Sequence, residues 1–194
     1  GEEVWDDLDG QANGVATIST SNTLGYANTF AGFGISGSYN KNDGAGSTGS
    51  SKSLVISSAE LIDNADIGIG MGDKAGTSTD NNTDQTTAYA KYTMGNLTAG
   101  VQLTSLDTTT VNGDSDRTHF ALSLLVNDDL QVSIGQSTVD FEDPTSDDQE
   151  STGVAVSYTM GSMSIVAFTN NEDSSGGTAG TNDSVSEISV AFAF

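Results

Sequence analysis

The chain has 194 residues, of which 35% are hydrophobic, and its 27 acidic and 5 basic residues give a net charge of −22. That apolar content lies below the roughly 45–50% of ordinary globular domains, which disfavours a large central core. The acidic surplus disfavours nucleic acid and anionic lipid surfaces as partners, because both attract basic patches. The chain has no cysteine, so disulfides and thiolate metal sites are excluded.

From Thr23 onward, apolar residues alternate with small or polar residues in short runs, the period-2 pattern of β-strands with two unlike faces. The runs come in pairs, and each pair is closed by a few residues rich in Gly, Asn and Asp, as in β-hairpins. The predicted strands are Thr23–Phe30, Phe33–Lys41, Leu54–Leu61, Ile67–Lys74, Thr86–Met94, Leu97–Leu106, Arg117–Val126, Leu130–Phe141, Gly153–Met160, Met163–Asn170 and Val185–Phe194.

The connections between these pairs are long and rich in Gly, Ser, Thr, Asn and Asp. They are Asn42–Ser53, Ala75–Gln85, Asp107–Asp116, Glu142–Thr152 and Asn171–Ser184. Short and long connections therefore alternate strictly, which is typical of a meander whose two ends face different environments. In outer-membrane barrels, the short turns are periplasmic and the long loops are extracellular.

The two faces of each predicted strand differ in the way that a membrane barrel requires. In Arg117–Val126, for example, Phe120 and Leu122 alternate with His119 and Ala121. The second face is rich in Gly, Ser and Thr and poor in Lys and Glu, unlike the exposed face of a soluble sheet. Strands of this length match the roughly 9–11 tilted residues that cross a bilayer. The sequence predicts an all-β fold, an antiparallel up-and-down transmembrane β-barrel; the alternative is an apolar face packed on a soluble core.

Several segments resemble the general diffusion porins of Gram-negative outer membranes, in the part that follows their constriction loop. NTLGYANTFAGFGISGSYN at 22–40 is similar to the strand–FAG–strand hairpin after that loop. TTAYAKYTMGNLTAGVQL and STGVAVSYTMGSMSIVAF resemble the later hairpin units, and SVAFAF resembles the C-terminal strand. The resemblance implies about eleven of about sixteen strands, with residues 1–21 as the end of the constriction loop and lead-in and residues 22–194 as barrel strands. The alternative is a smaller barrel closed by Gly14–Thr20 as a twelfth strand.

The resemblance also implies a function. Porins of this kind let small hydrophilic solutes and ions diffuse through a water-filled channel in the outer-membrane lipid, without a cofactor, as homotrimers. The alternative function is a secreted, acidic, β-rich adhesin or a calcium-binding surface module, since the loop carboxylates of 140–150 offer oxygen ligands. No calcium-loop spacing is present. One histidine, no cysteine and no carboxylate or serine placed with a base predict that the chain is not an enzyme.

If the apolar face of the strands contacts lipid, the polar face lines the lumen. A charged side chain that faces lipid in mid-strand would cost roughly 2–4 kcal/mol, so Lys91 is expected to point inward. For Lys91 and Arg117, a role in ion selectivity and simple solvation of a polar wall both remain open. The predicted pore-lining residues are Glu60, Lys91, Gln102, Arg117, His119, Gln131 and Glu187.

In the family that the chain resembles, acidic groups of the constriction loop face basic groups across the pore. The acids at the matching place in this sequence are Glu2, Glu3, Asp6, Asp7 and Asp9. Rings of carboxylates favour cations, and the net charge acts in the same direction, although salt screens the charges of the loops. The resemblance and the charge together predict a weak cation preference.

Overall fold

The structure is a computed structural model that describes residues 23–41, 49–75 and 82–193. In these ranges, eleven strands pair antiparallel in chain order and form one up-and-down sheet, as predicted. The strands are β1 (Thr23–Phe30), β2 (Phe33–Asn40), β3 (Ser51–Ser58), β4 (Ala65–Lys74), β5 (Thr83–Met94), β6 (Leu97–Thr108), β7 (Ser115–Asn127), β8 (Leu130–Phe141), β9 (Gln149–Met160), β10 (Met163–Asp173) and β11 (Asp183–Phe192). Within these ranges, no helix has the length and apolar character needed to cross a membrane.

The short turns carry the backbone conformations that tight hairpins need. Ala31 and Gly32, between β1 and β2, have φ values of 50° and 78°. Two successive positive φ angles match the right-handed twist of the flanking strands, and glycine adopts such an angle without steric cost. Phe30 and Phe33 therefore lie directly opposite each other across the turn.

Several strands extend further toward the long loops than the sequence predicts. β9 begins at Gln149 instead of Gly153, and β10 ends at Asp173 instead of Asn170. The apolar alternation marks only the part of a strand that needs an oily surface, whereas hydrogen bonding between strands continues through polar residues. The predicted strand ends were therefore several residues short at this end of the sheet.

Residues that lie directly opposite each other on neighbouring strands share a face of the sheet, so the pairing defines two faces. One face is apolar and uncovered: Leu103 is 52% exposed and Ile188 is 75% exposed. The sizeable contacts between described elements join neighbouring strands, apart from a contact of β9 with the short 3-10 helix Ser175–Gly177, so no second layer covers this face. The interpretation as a soluble core is therefore wrong.

Several apolar side chains on this face lie close to the short turns, at the height where an interfacial girdle belongs. They are all exposed, and they are Tyr92, Met94, Tyr158, Met160 and Phe192. Phe194, which the sequence places in the same girdle, lies outside the described residues.

The sheet is not closed within the described residues. β1 pairs with β2 alone and β11 pairs with β10 alone, so both outer strands have a free edge there. An open edge in lipid would leave backbone N–H and C=O groups without partners at several kcal/mol each. The arrangement is that of a partial barrel. The predicted lead-in, residues 1–21, and the alternative twelfth strand, Gly14–Thr20, lie outside the described residues.

Candidate functional site

The polar face of the sheet surrounds a cavity of about 630 Å³. Four of the predicted pore-lining residues contribute to its wall: Lys91, Gln102, His119 and Gln131. Gln102 and His119 lie opposite each other on β6 and β7. The Gln131 side-chain amide donates a hydrogen bond to the Ser123 hydroxyl at 2.6 Å. The wall thus combines hydrogen-bonding groups with small or apolar residues such as Ala121, Ala155 and Phe168.

Lys91 belongs to a small charged cluster with two neighbours. Its Nζ lies 3.2 Å from Oδ2 of Asp66, the residue directly opposite on β4. The Tyr89 hydroxyl donates a hydrogen bond to the other Asp66 carboxylate oxygen at 3.0 Å. The ion pair is partly exposed, so it adds at most about 1 kcal/mol to stability. Its main effect is electrostatic, because Asp66 balances the charge of Lys91 on the polar face.

Gly68 makes room for this cluster. A Cβ atom at Gly68 would lie 2.5 Å from Cε1 of Tyr89, the residue opposite it on β5. The tyrosine ring therefore lies over the glycine, the arrangement in which an aromatic side chain covers a weak point of a sheet. Tyr89 is thus the side chain that occupies the space left by this glycine.

Replacing Gly68 with alanine is expected to push the Tyr89 ring away and to break its hydrogen bond to Asp66. The expected loss is about 1 kcal/mol in the free energy of unfolding, measured by urea titration in lipid vesicles. Gly100→Ala is the matched control, because its new Cβ would meet only the Ala90 carbonyl oxygen at 3.9 Å. Equal stabilities of the two variants would contradict the packing described above.

Arg117 and His119 project from β7 toward the same side. Arg117 lies opposite Thr104 and Val139, is half-buried, and makes no ion pair with any residue in the described ranges. His119 is 1% exposed, so it contributes to the wall while its surface is almost wholly covered. The positive charge of Arg117 is not balanced locally, in contrast to that of Lys91.

A buried polar cluster lies near the long-loop end of β9 and β10. Glu172 is 1% exposed, and its Oε2 accepts hydrogen bonds from the Gln149 amide at 2.9 Å and from the Ser151 hydroxyl at 3.1 Å. The side-chain Oε1 of Gln149 in turn accepts a hydrogen bond from the backbone N–H of Gly176 at 2.8 Å. This cluster anchors the loop after β10 to the sheet. Glu172 was not among the predicted site residues, because the predicted strand ended at Asn170.

Glu187 lies on the polar face of β11, directly opposite Phe168 on β10. It is exposed, and its Oε1 accepts a hydrogen bond from the Ser189 hydroxyl at 2.8 Å. Phe168 was not among the predicted site residues. Its position was predictable, because Phe168 lies two residues before Asn170 and therefore on the same face of a strand whose other face is apolar.

Glu60 lies beyond the end of β3, which corrects the predicted strand Leu54–Leu61. β3 ends at Ser58, whose Oγ donates to the Gly32 carbonyl at 2.8 Å and accepts from the backbone N–H of Glu60 at 3.2 Å. These bonds turn the chain, so Glu60 is exposed in the connection to β4. The predicted constriction-loop acids lie outside the described residues: Glu2, Glu3, Asp6, Asp7 and Asp9.

Carboxylates gather at the long-loop ends of the strands. Asp84 and Asp107 lie directly opposite each other on β5 and β6, and Asp116 lies opposite Asp140 on β7 and β8. The pairing places all four carboxylates on the uncovered face. Like charges that lie directly opposite each other destabilise a sheet, so these pairs lower its stability. In the loop beyond, hydrogen bonds from the Thr145 backbone N–H and hydroxyl lower the pKa of Asp143. The described residues contain no group of three or more metal-binding side chains placed to hold an ion.

Comparison with known proteins identifies the fold. The family model of the Gram-negative porin matches residues 52–194. The anion-selective porin from Comamonas acidovorans is similar at 14% identity and a TM-score of 0.71, over 89% of this chain and 59% of that one. A loop L8 deletion mutant of OmpT, an outer membrane protein of Vibrio cholerae, is similar at 18% identity and a TM-score of 0.68, over 88% and 62%. OmpT has also been solved in a trimer form.

A third solved structure, the NanC porin, has 11% identity and a TM-score of 0.55, over 89% of this chain and 92% of that one. At these identities the similarities show the fold alone. The chain spans less than two thirds of the length of the Comamonas and Vibrio proteins. No curated protein sequence matches it significantly.

Proposed function

This chain belongs to the Gram-negative porin family, and from that premise we propose that it forms much of a water-filled channel for passive diffusion of small hydrophilic solutes and ions. The family places it in the outer membrane. The observation that carries the proposal is the inverted distribution of its side chains. Apolar residues such as Leu103 and Ile188 are exposed on the uncovered face, while polar residues such as Lys91, Gln102 and Gln131 contribute to the cavity wall on the other. Only a lipid surround makes that distribution favourable.

We propose a weak preference for cations. The Lys91 charge is balanced by Asp66, and the net charge of −22 favours cations near the loops. Salt screens such exposed charges over about 10 Å at 0.1 M ionic strength, so the preference is modest. The Comamonas porin is described as anion-selective, and the acidic composition of this chain favours the opposite sign.

Closure of the barrel needs further strands beyond those described, since β1 and β11 have free edges there. About sixteen strands in all fit the coverage of the longer porins, with residues 1–21 as the end of the constriction loop. A smaller barrel closed by Gly14–Thr20 is the alternative. We propose a homotrimer in outer-membrane lipid, for which the trimer form of OmpT offers support by analogy.

The proposed role involves no chemistry and no cofactor, because a channel needs only a polar wall and an oily exterior. The adhesin or calcium-module alternative lacks a specific supporting observation. Loop acids such as Asp143 hydrogen-bond within their own turns. Pore lining by Lys91, Gln102, Arg117, His119, Gln131 and Glu187 is part of the proposal.

The test is conductance of the full-length gene product in a planar lipid bilayer. We expect discrete steps in KCl, and a reversal potential in a KCl gradient whose sign shows that K⁺ permeates more readily than Cl⁻. Extraction from membranes should require detergent. A protein that stays in aqueous buffer, gives no conductance and gains stability from calcium would instead support the surface module.

A further inference from the structure

An apolar strip interrupts the polar face on the last two strands. It consists of Val166 and Phe168 on β10 and Val185 on β11, and the pairing places all three on the face that bears Asn170 and Glu187. Val166 and Phe168 also contribute to the wall of the 630 Å³ cavity. The lumen side of a membrane barrel is ordinarily polar, because water wets it. Phe168 is half-buried, and the contact of the exposed part of its ring with water is unfavourable unless a solute covers it.

A carboxylate lies beside the ring. Glu187 is directly opposite Phe168, which places the two Cβ atoms about 4.5–5.5 Å apart on the same face. The Ser189 hydroxyl donates to its Oε1 at 2.8 Å and holds the carboxylate on this side of the strand. Glu187 makes no ion pair with a described residue and is exposed, so its charge is accessible to a solute.

We propose that this strip is a binding subsite for permeating organic amines that carry an apolar or aromatic group. The inference deepens the proposed channel function and rests on it. The ammonium group would lie against the Glu187 carboxylate and over the face of the Phe168 ring, which attracts cations. The apolar part would cover Val166 and Val185. Charge complementarity selects this occupant, because Glu187 repels an apolar solute that bears a carboxylate.

Three probes separate the parts of the subsite. Phenethylamine carries both the ring and the charge, ethylamine carries the charge without the ring, and benzyl alcohol carries the ring without the charge. Each is added to the full-length protein in a bilayer of neutral phosphatidylcholine, and the fall in KCl conductance gives an apparent Kd. We expect phenethylamine to block at a concentration about tenfold lower than either other probe.

Two variants should remove this advantage. Phe168→Ala is expected to raise the apparent Kd for phenethylamine about tenfold, to the value for ethylamine, and Glu187→Gln is expected to raise it about tenfold, to the value for benzyl alcohol. Phe168→Leu keeps the apolar volume without the aromatic face and should fall between. Phe120→Ala is the matched control, because Phe120 lies on the uncovered apolar face and should not alter the block. If the Phe168→Ala variant does not insert into the bilayer, the block measured in Glu187→Gln and Phe168→Leu tests the subsite.

Equal block by phenethylamine and ethylamine would overturn the subsite and leave the channel in place. An unchanged block in Phe168→Ala and Glu187→Gln would do the same. A loss of stability in Phe168→Ala without a change in block would show that another part of the barrel covers the strip. Absence of any KCl conductance would overturn the channel itself, and the subsite with it.

Discussion

Arginine at Val101 is expected to lower the free energy of unfolding by about 2–4 kcal/mol, because it would place a charge on the face that contacts hydrocarbon. Val101 lies in the middle of the apolar side chains of β6 and is 40% exposed when no lipid is present. On an ordinary wet surface, the same substitution would cost almost nothing. Urea unfolding of the full chain in lipid vesicles, followed by circular dichroism, measures the difference.

The neighbouring residue supplies the control. Gln102 is the next residue along β6 and therefore points to the polar face, where it contributes to the cavity wall. Gln102→Arg introduces the same side chain one position away, and we expect stability within about 0.5 kcal/mol of the parent. Similar losses in both variants would mean that arginine disturbs the strand itself. Equal stability of Val101→Arg and the parent would mean that the apolar face does not contact lipid.

Opposite changes in ion selectivity are expected from the two members of the Lys91–Asp66 pair. Lys91→Glu should raise the K⁺ over Cl⁻ permeability ratio about threefold or more, since a reversed unit charge at about 4 Å in water changes an ion's energy by about 2 kcal/mol before screening. Asp66→Asn leaves Lys91 unbalanced and should lower that ratio. Reversal potentials in a KCl gradient report both.

The chain offers a matched pair of controls on the opposite face. Lys52 and Asp73 lie opposite each other on β3 and β4, with Nζ and Oδ2 3.5 Å apart, and the pairing places them on the uncovered face. Lys52→Glu and Asp73→Asn make the same charge changes outside the lumen. We expect the permeability ratio to stay close to that of the parent. If the outer and inner pairs shift the ratio equally, the selectivity does not depend on which face bears the charge.

The fold was predictable from the sequence where one face of a strand contacts lipid. β8 has the bounds that the alternation of Val132 and Ile134 with polar residues predicts, Leu130–Phe141. β9 begins earlier than predicted, because Gln149–Thr152 is polar on both faces and leaves no period to detect. Hydrophobic periodicity indicates where a strand contacts lipid, whereas hydrogen bonding between strands does not depend on the polarity of the side chains.

The face of the sheet on which the site residues lie was predictable from the sequence, but their contacts were not. The inward direction of Lys91 follows from the cost of a charge in lipid, yet its partner Asp66 was predicted as a turn residue. Pairing across strands depends on register, which the periodicity of single strands does not determine. The predicted end of β3 at Leu61 was wrong for a related reason: the Ser58 hydroxyl ends the strand through hydrogen bonds that the alternation of residues does not signal.

Val139 is the only hydrophobic side chain that is buried within the described residues. A protein with so little interior has few positions where the volume of one side chain constrains that of another. Oily residues on the outside meet a fluid that adapts to any shape, so one can replace another without leaving a void. The sequence can therefore change widely while the strand pairing is kept. The Comamonas porin fits this expectation, because it has a TM-score of 0.71 with this chain at 14% identity.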